Sequence, residues 1–103
     1  MKFLTEELIN QIPPLYATEN ESDPIVHVKL FTPDSNWSWY IIEYDIESRT
    51  AFGYVCGLEN ELGYFSMDEI EDVRGSMGLE VERDKSFSSM RLSELKSDLT
   101  LQS

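Results

Sequence analysis

Four carboxylates, one histidine, one thiol and a run of aromatic rings are the residues whose types and spacing suit chemistry. Glu43 and Asp45 alternate at the end of an apolar run, and Glu59 and Glu61 flank a turn further on. If the two segments pair as strands of a meander, the four acids converge, and converging carboxylate oxygens are what Mg²⁺ or Ca²⁺ requires. A small metal-dependent hydrolase is the reading such a cluster would support. The spacing of an EF-hand loop is absent, however, and acids at strand ends are ordinarily solvated. No metal and no cofactor is assigned.

The remaining candidates are weaker. His27, the only histidine, shares a strand face with Lys29. No serine sits in a nucleophile elbow, so a Ser-His-Asp hydrolase finds no support. Cys56, the only cysteine, lies between Val55 and Gly57 with no base beside it. Burial as a small hydrophobe is its expected role. One thiol also excludes an internal disulfide framework and a multi-cysteine zinc site. Trp37, Trp39 and Tyr40 suit a stacking platform for single-stranded nucleic acid, which would make the chain a single-strand binder. Core packing is the commoner use of such rings. No catalytic residue is assigned, and the balance falls against an enzyme.

Charge decides more. Twenty acids against eight bases give a formal net charge of −12. The excess lies before residue 73: fifteen acids and three bases (Lys2, Lys29, Arg49) precede it, and five of each follow. Nucleic-acid binders neutralise phosphates with Lys and Arg, so direct nucleic-acid binding is disfavoured. Self-repulsion for solubility is the plain reading of such a charge. The sharper one is an acidic contact surface for a basic protein. Its candidate residues are Glu43, Asp45, Glu59, Glu61, Asp68, Glu69, Glu71 and Asp72.

The elements that must position these residues read as follows. A length of 103 residues suits one domain over 1–103, with 1–2 and 97–103 frayed. Thr5 caps a short helix that Pro13 and Pro14 end. Residues 25–32 form a strand with Val26, Val28 and Leu30 on one face, and 37–45 form a central strand with two apolar faces. Residues 51–58 and 61–65 make the next two strands. Gly53 and Gly57 in the first of them mark close approach of a helix or another backbone. Ser66-Met67-Asp68-Glu69 is a capping box opening a helix that Gly75 stops. Residues 79–83 suit a sheet edge, and Ser89 caps a last helix over 90–95. The fold expected is α+β: a mostly antiparallel sheet of four to five strands with two or three short helices packed on it. The helix after Ser66 and the N-terminal helix should share the face that carries Gly53 and Gly57.

Nothing in the sequence approaches a membrane-spanning stretch. Glu6 and Glu7 stand where a signal peptide needs its apolar core, so a cytoplasmic protein is expected.

Lys29–Tyr40, Phe52–Gly75 and Gly78–Phe87 together resemble the small bacterial proteins grouped as domain of unknown function 2958. The matching motifs are K-L-F-T-P-D at Lys29–Asp34, Trp39, Phe52-Gly53, E-L-G-Y at Glu61–Tyr64, and G-L-E-V-E-R-D at Gly78–Asp84 with Phe87. The resemblance implies a cargo protein of plasmids, phages and integrative elements, and carries over no activity and no functional residues. Read physically, these motifs supply turns and an ion-pair cluster, with Arg83 expected to bond a carboxylate such as Glu61. The function expected is a non-enzymatic protein-interaction module of a mobile genetic element, an acidic antagonist of a nucleic-acid-binding defence protein.

Overall fold

The computed structural model describes residues 3–102. Strands β2 (Val28–Phe31), β3 (Ser38–Asp45), β4 (Thr50–Cys56), β5 (Asn60–Ser66) and β6 (Glu82–Arg83) form one antiparallel sheet in the order β5-β4-β3-β2-β6. A second, two-stranded ladder joins β1 (Ile25–Val26) to β7 (Met90–Arg91). Helices α1 (Glu6–Gln11), α2 (Met67–Asp72) and α3 (Leu92–Gln102) cover the sheet. The α+β expectation, with its strand and helix numbers, is what the chain adopts.

β3 is the middle strand because both its faces are apolar: every residue from Trp39 to Tyr44 is buried. On the first face, Phe3, Leu4 and Ile12 around α1, with Met67 and Ile70 of α2, pack on Val28, Leu30, Trp39, Ile41 and Ala51. On the second, Leu92 and Leu95 of α3 pack on Val26, Tyr40, Ile42 and Tyr54. Both short helices after Thr5 and Ser66 therefore share a face, as expected.

A β-bulge in β3 reshapes the strand alternation. Ile41 opposes Gly53 while Glu43 opposes Phe52, which leaves Ile42 as the extra residue. The neighbouring strand breaks at the same level. His27 lies between β1 and β2, and its N–H donates to the Ile41 carbonyl at 2.9 Å. As a result Val26 packs on the second face and Val28 and Leu30 on the first. The expectation that these three share a face fails here, because one residue of offset moves a side chain to the opposite surface. Gly53 sits at this irregularity. A Cβ there would run into the Tyr40 carbonyl oxygen, so it is the β3 backbone, not a helix, that requires glycine.

The helix ends follow local chemistry where the partners are near in sequence. Thr5 Oγ1 accepts the Leu8 N–H at 3.1 Å, and Ser66 Oγ accepts the Glu69 N–H at 3.3 Å. α2 stops earlier than expected, with Val73 already in extended backbone. Gly75 instead makes room for a side chain, since a Cβ there would overlap the Asp34 carboxylate. Asp34 Oδ2 in turn accepts the Met77 and Leu79 amides at 2.6 and 3.2 Å and so anchors the loop after α2.

The last helix departs most from expectation. Met90 and Arg91 are strand, and α3 runs Leu92–Gln102, so residues 97–102 are helical rather than frayed. Residues 1–2 and 103, also read as frayed, lie outside the described residues. The cap comes from seventy residues away: Asp23 Oδ1 accepts the Ser93 N–H at 2.8 Å and Oδ2 accepts its hydroxyl at 2.7 Å.

Candidate functional site

The eight candidate acids separate into four environments. Glu43 is 2% exposed and faces no solvent. It accepts the Tyr16 N–H at 2.8 Å, the Thr18 N–H at 2.9 Å and the Thr18 hydroxyl. Its place on a surface patch is corrected accordingly. The bulge at Ile42 brings it under the loop at Tyr16–Thr18, where three donors hold it, and it acts as a clamp for that loop. Tyr16 adopts the left-handed region, φ +72°, to present its amide there.

Asp45 is committed to its own turn. It accepts the Ser48 hydroxyl at 2.6 Å and the Ser48 N–H at 3.3 Å. The hydroxyl bond, then the amide bond, holds its carboxyl below the usual range.

On α2, Asp68 and Glu71 share one cation. Arg49 Nε lies 2.9 Å from Asp68, and its Nη2 donates to Glu71 at 2.5 Å. Arg49 closes the β3–β4 turn in the left-handed region, φ +57°, and its carbonyl accepts the Met67 N–H at 2.9 Å. This one residue docks the helix on the hairpin. Sequence reading missed it, because Arg49 meets α2 only through the β4–β5 pairing that brings the β3–β4 turn to the start of the helix. Glu69 and Asp72 project from the same helix and are exposed, as are Glu6 and Glu7 on α1.

Glu59 and Glu61 are exposed at the β4–β5 turn, at the opposite end of β5 from α2. The five residue steps from Glu61 to Ser66 span about 17 Å of strand. The acids of Glu59–Glu61 and those of α2 thus form two groups. Among the described residues, no three Asp, Glu, His or Cys side chains gather as metal ligands. The convergence that a carboxylate-based hydrolase needs does not occur.

The other candidates are embedded in the fold. His27 is half-buried, and burial pushes its imidazole below the ordinary value. Cys56 packs at the margin of the second-face layer, where burial pushes its thiol up. The three rings make no platform: Trp39 is buried on the first face, Tyr40 on the second, and Trp37 is 38% exposed. Trp37 and Trp39 do stack, with centroids 6.0 Å apart, beside a groove of about 280 Å³. Thr32, Arg74 and Ser76 of its lining are already engaged. Thr32 bonds the Trp37 backbone, and Arg74 donates to the Glu71 and Val73 carbonyls at 3.0 and 2.9 Å.

The pairing of Arg83 with Glu61 is also corrected. Arg83 is on β6 and Glu61 on β5, at opposite edges of a five-stranded sheet, about 19 Å apart at the usual strand spacing. The Lys29–Asp34 and Gly78–Asp84 motifs do meet. Leu30 opposes Arg83, Phe31 opposes Glu82, and Lys29 Nζ lies 3.9 Å from Asp84.

Fold and surface together define a small acidic α+β domain, built on a bulged antiparallel sheet with helices on both faces. The chain belongs to the family described as Protein of unknown function (DUF2958), whose family model matches residues 3–97. No curated protein and no solved structure matches it. Among the described residues, no helix is long and apolar enough to cross a membrane.

Proposed function

We propose that the protein is a non-enzymatic interaction module of a mobile genetic element. In this reading the acidic surface of α1 and α2 engages a basic partner, a defence protein whose nucleic-acid-binding site it occupies. The observation that carries the reading is the placement of α1 and α2 on one sheet face, with Glu6, Glu7, Asp68, Glu69 and Asp72 turned outward. Asp68 is partly balanced by Arg49; Glu69 and Asp72 add to the field. Such a surface steers basic proteins toward it, and the attraction weakens as salt rises.

The experiment is affinity purification from host extract at about 50 and about 500 mM salt, where screening differs several-fold. The same is done with an Asp68→Asn, Glu69→Gln, Asp72→Asn variant. A basic protein held at low salt, released at high salt and lost in the variant is the expected outcome. Recovery of no basic protein, or equal recovery by the variant, overturns the reading.

A further inference from the structure

We propose that two copies of this chain associate through β5, antiparallel about Gly63, to make one ten-stranded sheet. Among the described residues β5 pairs with β4 alone, so its outer side is a sheet edge seven residues long. The opposite edge, β6, has two residues. Natural edges of that length are ordinarily blunted by lysine, proline or a bulge. β5, Asn-Glu-Leu-Gly-Tyr-Phe-Ser, carries one charge, Glu61, but no lysine, proline or bulge, and its pairing with β4 is regular from end to end.

The ladder itself says which backbone groups are on offer. Met67 N–H donates to the Arg49 carbonyl and Gly57 N–H to the Glu59 carbonyl, one bond at each end of the hairpin. Both identify the odd-numbered residues of β5 as those bonded to β4, since antiparallel pairs alternate. The N–H and C=O groups of Asn60, Leu62 and Tyr64 therefore point outward. Leu62 and Tyr64 are also 45% and 55% exposed, and Tyr16, at 61%, lies with its ring 6.2 Å from that of Tyr64.

The register selects a second copy as the occupant. Full overlap of two Asn60–Ser66 strands centres the two-fold axis on Gly63. Leu62 then exchanges backbone bonds with Tyr64, extending the apolar row from one copy to the other. Glu61 falls opposite Phe65, so no like charges oppose. Gly63 meets Gly63 at a non-hydrogen-bonded position, where Cα atoms approach to about 4.5 Å. A Cβ at Gly63 meets no atom of its own chain within 4 Å, so this surface is open.

The contact does not depend on the acidic surface of α1 and α2. With −12 on each copy, added salt should favour it by screening self-repulsion. The basic-partner complex has the opposite salt dependence, so the failure of one reading is distinguishable from that of the other.

The test is sedimentation velocity of the full chain from micromolar to near-millimolar concentration, at low and high salt. Twice the 11.9 kDa chain mass is expected at high concentration, with the dimer fraction rising with salt. Leu62→Lys, at an exposed position, should give the single-chain mass at every concentration, with an unchanged circular dichroism spectrum. Register is checked by mild oxidation in a Cys56→Ser background. Gly63→Cys should cross-link at least tenfold faster than Glu61→Cys, since only the former brings two thiols within disulfide reach. Single-chain mass for the unaltered protein throughout the range, or equal cross-linking of the two variants, overturns the proposal.

Discussion

Glu43, on the central strand, accepts the backbone amide of Thr18 at 2.9 Å, across twenty-five residues of sequence. Its other oxygen takes the Tyr16 amide at 2.8 Å. A residue that reads as a surface acid is therefore the fastening of the segment that joins α1 to β1. Glu43→Ala strands two amides at a partly or fully buried site. Each such donor costs about 1–3 kcal/mol, so a total loss near 3 kcal/mol is expected. Glu43→Gln keeps one acceptor oxygen and should lose roughly half as much. Urea unfolding of the two variants decides it, and a loss below about 1 kcal/mol for alanine would contradict the clamp.

Arg49 combines a left-handed backbone with two ion pairs, and two substitutions separate them. Arg49→Ala removes the pairs with Asp68 and Glu71 and keeps the backbone strain. The guanidinium is one-third exposed, so a loss of about 1–2 kcal/mol is expected, discounted for solvent screening. Arg49→Gly removes the same pairs but relieves a conformation that costs an L-residue about 1–2 kcal/mol. The glycine variant should melt above the alanine variant. The reverse order would mean that φ at this position relaxes without cost.

Gly53 and Gly63 oppose each other across the β4–β5 ladder and should respond differently to alanine. At Gly53 the new methyl meets the Tyr40 carbonyl at the bulge, and a loss of about 3 kcal/mol is expected. At Gly63 it meets nothing of its own chain within 4 Å. There the change should be neutral, or stabilising by up to about 1 kcal/mol through the unfolded state. Chemical unfolding at low protein concentration compares the two directly.

His27 predicts the response to mild acid. Burial disfavours its charged form, so its folded pKa lies below the ordinary 6.5. Above that value the imidazole is neutral in both states and stability is fully present. Below it the unfolded chain takes up the proton first, and stability falls as pH drops toward the folded value. The melting temperature should decline from about pH 6.5 downward, and His27→Gln should remove that part of the decline. Parallel slopes for the two proteins between pH 7 and 5 would refute the assignment.

What sequence reading captured are the features set within a few residues. The Thr5 and Ser66 caps, the two-faced β3 and the β3–β4–β5 meander each follow from neighbouring side chains. What it missed depends on pairing. The break at His27 cannot be seen without the bulge at Ile42, and the bulge exists only against β4. Asp23 lies in the loop between α1 and β1, yet it caps α3 because β1 pairs β7 and brings Ser93 beside it. The same holds for the acids. Spacing placed Glu43 beside Asp45, and only the tertiary position of Tyr16–Thr18 shows that one is a buried acceptor.

The strand order also carries a consequence for how the chain acquires its shape. β3, β4 and β5 are consecutive and pair through short turns, whereas β6 and β7 return to β2 and β1 from the far end of the chain. Closing those distant pairs costs more loop entropy before any contact offsets it. The three-strand meander is thus the natural nucleus, with the segment after residue 74 docking onto it late. In the native state that late segment is where amide protons should exchange first, leaving the meander as the slow-exchanging heart of the molecule.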